Sequence, residues 1–228
     1  MSVMSQKELE SYLWGAATLL RGLIDASDYK QYIFPLLFFK RLSDVWDEDY
    51  CEALDESQDE GYATATANDR FTIPGGAHWK DARDASRDVG RALLNAYQAI
   101  EAANPNRLRG VFGNAAWTDK AQIPDETLKN LIEHFSKHTL SLANVPEDEL
   151  GNGYEYLIKQ FADDSGHTAQ EFYTNRTLVH LMAQMLEPKA GETIYDPTCG
   201  TGGMLISCLA EVKRHGGDTR TMGLYGQE

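Results

Sequence analysis

The segment Ile194-Tyr195-Asp196-Pro197-Thr198-Cys199-Gly200-Thr201-Gly202-Gly203-Met204-Leu205-Ile206 constrains this chain more than any other. A short β-branched and aromatic run at 193–195 ends in an acid, three glycines fall within four positions, and Leu205, Ile206, Leu209, Ala210 and Val212 then set up a helical pattern. The order is strand, tight loop, helix. Glycines serve such a loop where the backbone must turn sharply and a ligand must lie against it with no Cβ atoms in the way. Gly200-Thr201-Gly202-Gly203 lacks the dinucleotide spacing G-x-G-x-x-G, because its third glycine follows at once. A pyrophosphate cradle is therefore the weaker reading.

The following element separates the remaining cofactors. Gly216-Gly217-Asp218 makes a turn, and 221–226 reads as a second, glycine-thinned strand leading to Gln227 and Glu228. An acid closing the second strand of such a unit accepts both hydroxyl hydrogens of a ribose. The 28 positions between Gly200 and Glu228 leave room for one helix and two turns. A nucleoside ligand without a phosphate fits best, and S-adenosylmethionine is the common one.

Asp-Pro-Thr-Cys-Gly-Thr-Gly-Gly at 196–203, preceded by Glu171-Phe172-Tyr173-Thr174-Asn175-Arg176, resembles the cofactor signature of the modification subunit of type I restriction-modification systems, an adenine-N6 DNA methyltransferase. The segment 25–44, with Tyr29, Tyr32, Ile33, Phe34, Pro35 and the run to Arg41, is similar to that subunit's helical N-terminal domain. The resemblance covers nearly the whole chain. It implies a mostly α N-terminal domain at 1–163 followed, at 164–228, by the start of an α/β Rossmann-like S-adenosylmethionine-dependent methyltransferase domain. It also implies methyl transfer to adenine N6 within a DNA recognition site. The implied partners are a specificity subunit that reads the DNA sequence and a second modification subunit, with the presence of a restriction subunit left open.

Composition agrees with a packed protein: 42% of residues are hydrophobic and 25% charged in a chain of 228. Cys51, Cys199 and Cys208 form no C-x-x-C pair, which points to a reducing, cytoplasmic setting and against a thiolate metal site. The apolar run 32–39 is broken by Pro35 and far too short for a bilayer, and no signal peptide opens the sequence. Net charge is −14, of which −12 falls in residues 1–165. So acidic a surface repels phosphates, and any grip on DNA has to come from a partner.

Along the chain, Ser5-Gln-Lys-Glu8 is a capping box, and Leu9, Leu13, Ala16, Ala17, Leu20 and Leu23 predict a helix over 6–24. A second helix follows with Pro35 near its first turn, and the dense apolar set 33–39 reads as buried core. The nine acids between 44 and 60 read as a solvated face or loop. Residues 61–68 read as loop, and His78-Trp79 as packing. Further helices are expected around Val89–Ile100, after Pro124 and after Pro146. His134 and His138 have ligand spacing but lack the intervening Glu and any third ligand, so they read as a solvated pair. Thr174 is the expected N-cap of a helix bearing Leu178, Val179, Leu181, Met182, Met185 and Leu186.

Within the resemblance, Asp196 orients the methionine ammonium of the cofactor. Gly200, Thr201, Gly202 and Gly203 admit its chain, Glu228 holds the ribose diol, and Phe172 or Tyr173 lies against its apolar parts. Glu171, Thr174, Asn175 and Arg176 complete the set, although Asn175 stands where the family usually has proline. No catalytic residue is expected in these 228 residues. The family places base-flipped adenine against an Asn-Pro-Pro-Phe motif on a later strand, and the seven prolines here are all isolated. The chain therefore reads as the N-terminal part of such a subunit, inactive alone. The competing readings are a non-enzymatic assembly fragment and a nucleotide-dependent oxidoreductase; cofactor binding, and the choice of cofactor, separate them.

Overall fold

A computed structural model describes residues 4–164, 174, 176–200 and 202–227. The chain splits into two compact units, Met1–Ala169 and Gln170–Glu228.

The first unit is helical. α1 (Gln6–Leu20) opens on its capping box, with Ser5 N–H donating to Glu8 Oε2 at 2.9 Å and Glu8 N–H to Ser5 Oγ at 3.4 Å. Leu9, Leu13, Ala16 and Leu20 are buried along one stripe. The helix stops at Leu20, short of the expected 24, because Arg21 is extended and Gly22 turns at φ +80°, a conformation that glycine adopts without a Cβ penalty.

A short 3-10 turn (Ala26–Asp28) leads into α2 (Tyr29–Ser57), which holds Pro35 in its second turn. Ile33, Leu36 and Phe39 are fully buried, while Phe34 and Phe38 pack partly buried against the same core. The apolar set 33–39 is thus core. Phe39 meets Trp79 at 5.3 Å and Tyr97 at 5.4 Å between ring centroids, and Tyr97 stacks on Phe112 at 4.3 Å. Each such side chain contributes about 1.5–3 kcal/mol by leaving water.

Residues 61–68 correct the loop expectation, since α3 (Glu60–Ala67) is a helix. Asp59 caps it by accepting Tyr62 N–H at 3.0 Å, and Ala63 and Ala67, one turn apart, are buried where α3 packs on α2. Small side chains let the two helices approach closely.

The acidic run is more than a solvated face. Asp44 Oδ2 accepts Leu140 N–H at 2.6 Å, and the Glu48 carboxylate accepts Leu142 N–H at 2.7 Å and Ala143 N–H at 3.0 Å. Arg41 Nη1 reaches the carbonyls of Leu140, Ser141 and Val145 at 2.5, 2.8 and 2.7 Å. One polar face of α2 therefore straps the segment 140–145 to the helix. The remaining elements are α4 (Trp79–Arg83), α5 (Val89–Ala103), α6 (Asp125–Phe135) and α7 (Glu147–Asp164). Trp79 is packing, as expected: its indole N–H donates to Ser136 Oγ at 2.9 Å.

The histidine pair is a second correction. His138 is exposed, but His134 is half-buried, stacked on Tyr12 at 5.1 Å with Nε2 2.7 Å from the Tyr12 carbonyl. Gly15 makes room for that ring, because a Cβ there would lie 2.7 Å from His134 Cε1. Among the described residues, no group of three or more His, Cys, Asp or Glu is placed to hold a metal ion, and no helix is long and apolar enough to cross a membrane.

In the second unit, α8 (Arg176–Leu186) precedes β1 (Thr193–Asp196), α9 (Gly203–Arg214), a 3-10 turn (Thr219–Thr221) and β2 (Gly223–Gly226). The second strand is shorter than the expected 221–226, because Asp218 caps the turn by accepting Arg220 N–H at 3.0 Å and diverts those residues. β1 and β2 are parallel, with Thr193 opposite Gly223 and Asp196 opposite Gly226. Of the expected stripe on α8, Val179 is buried along with Ala183, while Leu178, Leu181 and Met185 stay exposed. The helix begins at Arg176, so Thr174 lies two residues ahead of it and is not its N-cap.

Candidate cofactor-binding site

β1 delivers its last residue, Asp196, into the turn that leads to α9. Asp196 Oδ1 accepts the Thr198 N–H at 3.0 Å, closing a local turn around Pro197, which has no N–H of its own. Among the described residues Asp196 Oδ2 makes no hydrogen bond. The carboxylate thus orders the loop with one of its oxygens.

Two glycines then carry positive φ, a region that L side chains rarely adopt: +52° at Gly200 and +79° at Gly202. Gly202 N–H donates to the Cys199 carbonyl at 2.7 Å, and the Gly202 carbonyl accepts Ile206 N–H at 3.0 Å, so the turn passes straight into α9. Among the described residues no side chain caps that helix, whose N-cap position is Gly202. A Cβ built on Gly200 or Gly202 would meet nothing within 4 Å. Open space above a left-handed glycine turn at a helix N-terminus can receive a ligand, and the helix dipole favours a carboxylate there.

A cavity of about 320 Å³ adjoins the loop. Val179, Met182 and Ala183 of α8, Ile194 of β1 and Met204 of α9 line it, with Asp196 as its charged group. Cys208 also borders it, and burial, reinforced by the charges of Asp196 and Glu211, pushes the Cys208 thiol up, so it stays protonated at neutral pH. Apolar walls beside one carboxylate suit an aliphatic chain that carries a positive charge.

The loop is also stitched to β2. Gln227 N–H donates to the Asp196 carbonyl at 2.9 Å, the Gln227 carbonyl accepts Cys199 N–H at 2.8 Å, and Tyr195 Oη donates to Gln227 Oε1 at 2.8 Å. Gly226 lies under Cys199, where a Cβ would fall 2.6 Å from its Sγ. Sequence reasoning missed Tyr195, Cys199, Gly226 and Gln227. The available signal was Gly226, because a glycine inside a strand often marks close approach of another backbone.

Of the candidate residues, the structure brings Asp196, Gly200, Gly202 and Gly203 together in one loop. Thr174 is exposed outside it, and Arg176 starts α8. Glu171, Phe172, Tyr173, Asn175, Thr201 and Glu228 lie outside the described residues.

The second unit thus has a parallel strand, glycine turn, helix and strand with open space above the turn, following a helical unit. Comparison with known proteins gives that arrangement its family. The family model described as HsdM N-terminal domain matches residues 9–135, and the one described as N-6 DNA Methylase matches 145–228. The methylase subunit of the type I restriction enzyme MjaIX of Methanocaldococcus jannaschii is 25% identical over 97% of this chain and 42% of its own length. The HindI methylase subunit of Haemophilus influenzae is 31% identical over 61% of this chain and 32% of its own. The solved methyltransferase subunit of a type I restriction-modification system from Streptococcus thermophilus superposes with a TM-score of 0.77 at 26% identity, over 98% of this chain and 53% of that one. The chain belongs to the type I restriction-modification methyltransferase subunit family, and it spans about half or less of the length of these relatives.

Proposed function

We propose that this chain is the cofactor-binding portion of a modification subunit that transfers a methyl group from S-adenosylmethionine to adenine N6 in DNA, in the cytoplasm. In this reading residues 1–163 form the helical assembly domain, and 164–228 begin a Rossmann-like methyltransferase domain. The observation that carries the reading is the left-handed glycine turn at Gly200 and Gly202, open above and bordered by the Asp196 carboxylate.

Each part of the ligand has a matching group. Asp196 takes the methionine ammonium, the uncapped start of α9 faces its carboxylate, and the apolar cavity wall accepts its methylene chain. Thr201, Gly203 and the block Glu171, Phe172, Tyr173, Thr174, Asn175 and Arg176 complete the surround, and Glu228 holds the ribose diol. A specificity subunit supplies the DNA contact that a chain of net charge −14 does not provide, and a second modification subunit completes the complex.

The test is methyl transfer from labelled S-adenosylmethionine to a duplex carrying the recognition site, by the assembled modification and specificity subunits, with the modified base identified. Label on adenine N6 supports the reading. Label on cytosine, or none although the complex assembles on DNA, contradicts it. The 228-residue polypeptide by itself contains no Asn-Pro-Pro-Phe motif and transfers nothing in this account.

A further inference from the structure

The connection from α5 to α6 carries the opposite charge from the unit it belongs to. Residues 102–118 are 17 consecutive positions without Asp or Glu and include Arg107 and Arg109, within a segment, 1–165, of net charge −12. Its base is fixed. Leu108, Phe112 and Trp117 are buried, and the Asn104 side chain grips Thr72, with Nδ2 donating to its carbonyl at 2.8 Å and Oδ1 accepting its N–H at 3.0 Å. Glu101, the acid nearest in sequence, is turned onto the Phe112 N–H at 3.3 Å. Between Leu108 and Phe112 the chain comes to the surface. Val111 N–H donates to the Leu108 carbonyl at 3.1 Å, so Arg109 and Gly110 are the central residues of a β-turn, and Gly110, at φ +74°, supplies the positive φ that a type II turn needs at its third position. Arg109 is exposed, a Cβ on Gly110 would meet nothing within 4 Å, and among the described residues the amides of Arg109 and Gly110 donate to no protein acceptor. Arg107, two positions earlier, is also exposed; its Nη1 donates to the Arg70 carbonyl at 2.8 Å and its guanidinium lies 5.9 Å over the Phe71 ring.

We infer that this loop, through Arg107, Arg109 and the turn at Gly110, contacts the phosphate backbone of the DNA that the complex modifies. Forked guanidinium donors and adjacent outward amides suit phosphate oxygens. A contact of this kind carries no sequence information and instead orients the protein on the duplex. The acids elsewhere in the unit repel the same phosphates, so attraction at the loop fixes which side of the helical unit faces the DNA. The loop adds to the grip of a specificity subunit and does not replace it. This role rests on the modification-subunit reading above, which makes DNA the partner.

The experiment measures binding of the assembled modification and specificity subunits to a cognate and an unrelated duplex over a range of salt concentrations. The variants are Arg109→Gln, Arg107→Gln with Arg109→Gln, and a control, Lys7→Gln with Lys80→Gln, which removes the same charge from exposed positions on α1 and α4. Each lost phosphate contact makes the slope of log affinity against log salt shallower by about 0.9, so the expected change is about 1 for Arg109→Gln and about 2 for the double arginine variant. Both duplexes should weaken by the same factor. The control slope should match the wild type, and methyl transfer at saturating DNA should be unchanged throughout. An unchanged slope in the double arginine variant, a control that shifts as much, or an arginine variant that no longer assembles with the specificity subunit overturns the phosphate contact and leaves the modification-subunit reading standing. A wild-type complex that binds no DNA overturns both.

Discussion

Asp44 and Leu140, 96 positions apart, are joined by a 2.6 Å hydrogen bond from the Leu140 N–H to Asp44 Oδ2, the same oxygen that receives the buried Lys40 ammonium one helical turn away. Lys40 and Asp44 are each less than a tenth exposed. Burial raises the Asp44 carboxyl above its ordinary range against the pull of Lys40, so the pair is held at a desolvation cost. Asp44→Leu should destabilise the helical unit by about 3–5 kcal/mol, since it strands a buried ammonium and an amide. Lys40→Met with Asp44→Leu should cost only about 1–3 kcal/mol, the stranded Leu140 N–H. Urea unfolding followed by helical circular dichroism measures both, and a double variant as unstable as the single would contradict this account.

His134 gives the helical unit a pH dependence. Burial holds its imidazole below the ordinary histidine range, with Lys137 and His138 adding to the depression and the hydrogen bond to the Tyr12 carbonyl opposing it. The folded state therefore binds this proton less readily than the unfolded chain. Its contribution is complete above the ordinary histidine value of about 6.5 and is lost as pH falls through that value toward the folded one. Unfolding midpoints should decline between about pH 7.5 and 5.5, with a shallower decline in His134→Gln. Equal slopes would refute the assignment.

Gly90 and Gly75 make a contrasting pair. A Cβ at Gly90 would lie 1.7 Å from the Trp117 carbonyl oxygen, backbone against backbone, whereas one at Gly75 meets nothing within 4 Å. Gly90→Ala should cost about 3 kcal/mol or more by separating α5 from the segment at Trp117. Gly75→Ala should stay within about 0.5 kcal/mol. Chemical denaturation of the two variants side by side checks the ordering.

The sequence disclosed what short-range pattern encodes. α1, α5, α6 and α7 follow from their apolar spacing, and β1 with its glycine turn follows from composition within a dozen residues. α3 escaped because Gly61-Tyr-Ala-Thr-Ala-Thr-Ala has no bulky stripe. Its helicity depends on Ala63 and Ala67 seating on α2, a tertiary effect that propensity does not carry. The double use of Asp44 and Glu48 was hidden for a similar reason, since their partners are backbone amides about ninety positions away with no side-chain signature. The turn after β1 was readable because Gly200 and Gly202 take positive φ there and Asp196 accepts the Thr198 N–H. The stitch through Gln227 was not, because two of its three hydrogen bonds are made by main-chain atoms.

The central claim is that the second unit holds S-adenosylmethionine. Its most direct test is calorimetric titration of the cofactor into this chain, with Gly202→Val and Glu228→Ala alongside. At Gly202 a valine would need a left-handed φ of +79° and would fill the open space above the turn. The account predicts saturable binding by the wild-type chain that both substitutions abolish while the helical signal is unchanged. A folded wild-type chain that takes up no cofactor, or binding that survives both substitutions, would contradict it.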